Sequence, residues 1–189
     1  MKYIVIFIFI TSCGVFPECK GFSFSLSGNA DQSLERAEHF FELNKYDSAR
    51  RHYNLAAHQF KVAKVWKKYI TAIAGAAHSL IKLRKYDDAK KILDSALLIG
   101  NRSVGKSTEL ATAHFVYGIL LDLINEPNAS LEMHQEALAM RKTLLGENHL
   151  QVAESYNGIG EVYRYILRDY VEAEKYFQRY INMLERDKA

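Results

Sequence analysis

The segment Gly100-Asn101-Arg102-Ser103-Val104-Gly105-Lys106-Ser107 matches the phosphate-cradling pattern G-x-x-x-x-G-K-[ST] residue for residue. In that chemistry backbone N–H groups hold the phosphates, the lysine contacts them and the hydroxyl holds Mg²⁺. The motif also needs a place: it must follow a buried parallel strand and open a helix. Here Tyr86–Ile99 reads as an amphipathic helix. Asp122, at the end of the strand-like Ile119-Leu120-Leu121-Asp122, lies 17 residues beyond Gly105, too few for a helix and a new strand. The expectation is a loop between helices, with nucleotide binding through residues 100–107 as the remote alternative.

Seven histidines (His39, His52, His58, His78, His114, His134 and His149) are dispersed without an H-E-x-x-H pair and without a cysteine among them, so no metal site is expected. No Ser/His/Asp or Cys/His arrangement has a recognisable local context. Asp87-Asp88 and similar carboxylates fall in turns, where they act as helix caps. The expectation is a protein without catalytic residues, cofactor or metal.

Both cysteines, Cys13 and Cys19, lie in the first 19 residues, so no disulfide frames the rest. Met1-Lys2 is followed by the apolar run Tyr3–Ile10, too short to cross a bilayer core of about 30 Å as a helix but suited to a cleavable export signal. Ile10-Thr11-Ser12-Cys13 then resembles a bacterial lipobox. That resemblance implies cleavage before Cys13 and acylation of Cys13, with several chains at about 0.8 kcal/mol per buried methylene making a stable anchor. The alternative is an ordinary signal peptide and a secreted or periplasmic chain. Residues 1–12 are thus expected as signal peptide, residues 13–28 as the lipidated cysteine and a tether, and residues 29–186 as the folded domain. Phe22–Leu26 alternates with period two but has no strand to pair with, so it reads as linker.

The chain of 189 residues carries 25 Lys+Arg and 22 Asp+Glu, a net charge of +3. That near balance argues against nucleic-acid binding, which calls for a basic stripe. With 49% hydrophobic residues and only two prolines, the composition favours a packed helical fold.

The elements that would position any site are repeats. Lys45-Tyr46-Asp47-Ser48-Ala49, Lys85-Tyr86-Asp87-Asp88-Ala89, Glu126-Pro127-Asn128-Ala129-Ser130 and Asp169-Tyr170-Val171-Glu172-Ala173 align, with positions 46, 86, 127 and 170 spaced by 40, 41 and 43. Small residues recur upstream (Ala37, Ala77, Gly118) and downstream (Ala56, Ala96, Ala137). Large residues or His134 fall between, at Tyr53, Leu93, His134 and Phe177. Small residues let two antiparallel helices approach, and a large neighbour fills the groove beside the contact. Such pairs stack into a solenoid.

This pattern resembles the tetratricopeptide repeat. Ala137–Ala153, with Leu145-Gly146-Glu147-Asn148-His149, resembles the longer variant of kinesin light chains, except that Leu150 stands where proline is usual. Gly146 suits a helix stop, and Asn148 with Gln151 reads as a capping box. The expected fold is all-α, a solenoid of about four helix-turn-helix repeats. Two irregularities stand out. Gly160 precedes Ala173 by 13 residues rather than 12, which calls for a bulge near Tyr165–Arg168. Lys61–Tyr69 lacks Gly and Pro, which predicts long helices there.

The resemblance implies that the first helix of each pair lines a concave groove. Counting from the small packing residues, that face carries Leu34, Glu38 and Phe41, then Thr71, Ala74, His78 and Ile81. It continues with Thr112, Phe115, Ile119 and Asp122, and ends with Glu154, Asn157, Glu161 and Arg164. The candidate peptide-binding residues are Phe41, His78, Ile81, Phe115, Ile119, Asp122, Asn157, Glu161 and Arg164. The alternative for Phe115 and Ile119 is a core role. The expected function is a non-catalytic scaffold that binds an unidentified protein or peptide. It is expected to be held at a bacterial envelope membrane through Cys13. The alternative is a sensor or regulatory segment of a longer protein with a caspase-like or signalling output domain. The apolar stripe Phe177, Tyr180, Ile181 and Leu184 near the C-terminus predicts self-association or continuation of the array.

Overall fold

A computed structural model describes residues 19–186, with side chains from residue 29 to residue 185. Cys13, the signal segment and residues 13–18 of the expected tether lie outside the described residues. Eight α-helices follow one another: α1 (Cys19–Glu42), α2 (Tyr46–Val62), α3 (Trp66–Lys82), α4 (Tyr86–Ser103), α5 (Thr108–Leu123), α6 (Pro127–Leu145), α7 (Leu150–Glu161) and α8 (Tyr170–Arg186). A π-helical turn, Val162–Leu167, extends α7. Among the described residues there is no strand, so the all-α solenoid of four helix pairs stands. None of these helices is long and apolar enough to cross a membrane.

Helix α1 begins at Cys19, so Cys19–Gly28 is helical rather than the expected irregular linker. Adding residues to an existing helix avoids the cost of nucleation, which is why modest local preference suffices there.

The small residues do the predicted work. Ala37, Ala49, Ala56, Ala77, Ala89, Ala96 and Ala137 are fully buried at helix contacts, among Phe60, Ile70, Leu93, Leu110, Leu120 and Ile159. Five corners each place a residue other than glycine in the left-handed region. Asn44, Lys64, Arg84, Asn125 and Arg168 all sit near φ +60°. At the first corner Asn44 N–H donates to Phe41 O and Lys45 N–H to Phe40 O, and the corners at Lys64, Arg84 and Asn125 repeat this. The corner at Lys64 corrects the expectation of long helices: α2 ends at Val62 and α3 starts at Trp66. A left-handed residue closes the helix there without Gly or Pro. Trp66 takes the place held by Tyr46 and Tyr86, a half-repeat signal that the forty-residue alignment skipped.

The extra residue of the fourth repeat sits in the π turn. At Arg168 the closing bond runs from Asp169 N–H to Tyr163 O, one residue further back than at the other corners. Gly160 still meets Phe177: a Cβ there would lie 2.7 Å from the ring. Helix α7 is capped by His149, whose Nδ1 accepts from Gln151 N–H at 3.2 Å. The capping residue is therefore His149 and not Asn148.

Candidate functional site: the concave groove between the third and fourth pairs

Residues 100–107 form a helix-to-helix connection. Gly100 lies in the last turn of α4, and a Cβ on it would come within 2.5 Å of Leu110 and 3.1 Å of Ile70. Ser107 caps α5, its Oγ accepting from Leu110 N–H at 3.1 Å. The first glycine serves packing and the serine hydroxyl serves the helix. Helix α4 leads into the segment where a phosphate cradle has a buried strand, so the setting differs from that of a phosphate cradle.

Helices α5 and α7 stand side by side and form the concave face. Phe115 and Ile119 line two adjoining cavities, of about 420 Å³ and about 360 Å³. The first is completed by Asp122, Asn157 and Glu161, all anticipated, and by Leu123, His134, Tyr165 and Ile166. The second adds His78, Thr112, Glu154, Arg141 and Tyr180. Phe41 packs its ring 4.8 Å from that of His78, which extends the same face toward α1.

Two anticipated residues are elsewhere. Ile81 is 4% exposed and packs with Leu93, Tyr117 and Leu121, because α5 stacks on α3 and covers it. Arg164 lines a separate surface hollow with Tyr170, Phe177 and Ile181. The π turn inserts one residue after Glu161 and rotates the register, so Tyr165 takes the groove position that regular α-helical counting assigns to Arg164.

Beneath the groove lies a polar layer. Asp122 accepts from Ser130 Oγ at 2.5 Å and faces His134 Nε2 at 3.2 Å. Because an ionised carboxylate only accepts, the ring is assigned as donating from Nε2. Arg141, 2% exposed, donates to Gln151 O at 2.9 Å and to Ser155 Oγ at 2.8 Å, with Glu154 at 3.8 Å. Its guanidinium stacks 4.6 Å over the Phe115 ring. Burial lowers the Arg141 pKa to about 10, opposed by Glu154, so it stays charged near neutrality. Burial, helped by Lys82, lowers the His78 pKa to about 4 and keeps that ring neutral.

Arg141, Tyr165 and Tyr180 were missed from sequence. For Arg141 the signal was present: Ser130, His134, Ala137 and Arg141 follow one another by 4, 3 and 4 on one helix face. Among the described residues no group of three His, Cys, Asp or Glu side chains converges.

The sequence model of the tetratricopeptide repeat family matches residues 69–143 and 128–186, together more than half of the chain. This chain belongs to that family. No curated protein matches the sequence. Among solved structures, BtubC (BKLC) from P. vanneervenii is similar at TM-score 0.69 and 21% identity, over 85% of this chain and 65% of its own. A Podosopora anserina protein of kinesin-light-chain type with nearly identical TPR-like repeats gives TM-score 0.63 at 9% identity, over 84% of this chain and 76% of its own. MamA gives 0.55 at 16% identity, over 89% and 86%. This chain therefore spans less than two thirds of BtubC. At these identities the likeness shows the fold: a tetratricopeptide solenoid, an architecture that generally serves as a non-catalytic protein-interaction scaffold.

Proposed function

We propose that this protein is a scaffold that holds a protein or peptide segment in the groove between α5 and α7. The observation that carries the reading is the pair of adjoining cavities that share Phe115, Ile119 and Asn157. They form one trough with apolar walls and a few polar groups, as a peptide with side-chain anchors requires. Because a rigid solenoid presents it preformed, binding loses little to reorganisation.

The proposal extends to location. Ile10-Thr11-Ser12-Cys13 after the apolar run supports lipidation at Cys13 and an envelope membrane address. A second reading, a segment of a larger assembly, is favoured by α8. There Tyr170, Val171 and Ile181 are 65%, 66% and 44% exposed, a face that a further helix or a second copy would cover.

The test is a pull-down from an envelope fraction with wild type, with Asn157→Tyr to obstruct the trough, and with Leu98→Lys as a distant control, since Leu98 is 71% exposed. A partner retained by the control and lost from Asn157→Tyr is the expected outcome. Partners captured equally by all three would remove the groove from the proposal.

A further inference from the structure

One helix pair breaks the rule the others follow. The packing faces of α2 and α4 are apolar, with Ala49, Tyr53, Ala56 and Phe60 on one and Ala89, Leu93, Ala96 and Gly100 on the other. On α6 the same positions are Ser130, His134, Ala137 and Arg141, all buried. Buried polar groups cost stability unless paired. Departures of this kind concentrate at functional sites. Two atoms of this layer, His134 Nδ1 and Arg141 Nε, are buried without a partner. His134 of this layer lines the larger cavity and Arg141 the smaller, and the layer anchors Asp122, one of the larger cavity's carboxylates.

The charges that face the trough are uneven. Arg141 is committed to Gln151, Ser155 and Glu154. Arg164 lines a separate hollow, with its guanidinium over the Tyr165 ring at 4.9 Å from the centroid. Lys82 stands beside neutral His78, at the far end. Around the larger cavity the charged groups are Asp122 and Glu161. Asp122 is held by two side chains of its own layer, and Glu161 makes no ion pair among the described residues. Phe115, Ile119 and Tyr165 supply apolar and aromatic walls.

We infer that this cavity receives an arginine or lysine side chain from an apolar segment of the partner. This rests on the peptide-binding reading. The cation meets Asp122 and Glu161, and its stem lies along Ile119. An acidic segment or a free C-terminal carboxylate is rejected there by like charge.

The test selects short random peptides displayed on phage against the full chain in mild detergent. Peptides in which Arg or Lys adjoins Leu, Ile or an aromatic residue should be enriched over the input. Synthetic versions should bind about tenfold more weakly to Glu161→Gln, and more weakly still to Glu161→Lys, with the circular dichroism of both variants unchanged. Glu161 is partly exposed, and its side chain has no hydrogen bond or ion pair among the described residues, so these variants test charge rather than folding. Acidic or uncharged peptides that are lost on Asn157→Tyr but indifferent to Glu161→Gln would overturn the basic preference and leave the peptide reading standing. Failure to select any peptide sensitive to Asn157→Tyr would overturn both.

Discussion

The imidazole of His134 occupies the space that a side chain at Gly118 would need: a Cβ on Gly118 would lie 2.6 Å from the ring. Gly158 on α7 flanks the same ring, its Cβ position 3.0 Å away. One buried histidine thus wedges between two helices, and two missing side chains make room for it. The relation ties the packing of the third pair to the groove, because the same ring faces the Asp122 carboxylate.

Gly118→Leu should lose about 1–3 kcal/mol by overpacking. Removing the ring should relieve the clash, so Gly118→Ala combined with His134→Ala should lose less than the two single changes added together. Urea melts of the four proteins read the coupling. Strict additivity would mean that the two residues do not compete for space.

Asp122→Ala leaves two buried donors, Ser130 Oγ and His134 Nε2, without their carboxylate. The expected loss is about 1–3 kcal/mol. The single Ser130 hydroxyl proton can turn to Gly118 O at 3.2 Å once the carboxylate is gone, which keeps the loss below that of stripping both donors completely. An unchanged denaturation midpoint would show that the layer is not coupled to stability.

Arg141→Met should stay within about 1 kcal/mol of wild type, since a buried ion replaced by an apolar chain of similar length also sheds its desolvation cost. Ser155 keeps its bond to Gln151 O, and Glu154 is 45% exposed and returns to water. A loss of about 3 kcal/mol or more in thermal and urea melts would mean that the guanidinium's own bonds outweigh its burial.

Stability should fall as pH drops from 6.5 toward 4. Unfolded, His78 binds a proton near its ordinary 6.5; folded, burial holds it down to about 4. The unfolded chain therefore carries the extra proton in that window, and stability rises with pH there. The contribution is complete above 6.5 and is lost as pH falls through the folded value, about 3 kcal/mol in all. Burial lowers His114 as well, so His78→Phe, whose ring suits the Phe41 contact, should flatten the slope without abolishing it. Urea midpoints at several pH values test this; an unaltered slope would place the effect elsewhere.

Cells given a fatty-acid analogue should label the wild-type chain and not Cys13→Ala. Equal labelling would remove the lipid anchor and leave a secretory signal.

Local pattern alone was enough for the repeat. Alanines and glycines at fixed offsets from larger residues state where two helices touch, and that is a property of neighbours in sequence. For the same reason the irregularity at Gly160 was legible before its form was. One surplus residue had to go somewhere, and the π turn absorbs it at Val162–Leu167. The groove residues on α5 and α7 were legible because helical counting carries a face along a regular helix. Counting failed where regularity did. It assigned Arg164 to a face that the π turn had rotated away, and it placed Ile81 in a groove although α5 covers it. Only tertiary structure decided the polar layer. Asp122, Ser130 and His134 meet because α5 and α6 fold back on each other, and Arg141 reaches Ser155 across to α7. Whether a polar side chain on a packing face is solvated, paired or stranded depends on what the neighbouring helix brings to it. That partner lies several turns of chain away, where local spacing carries no information.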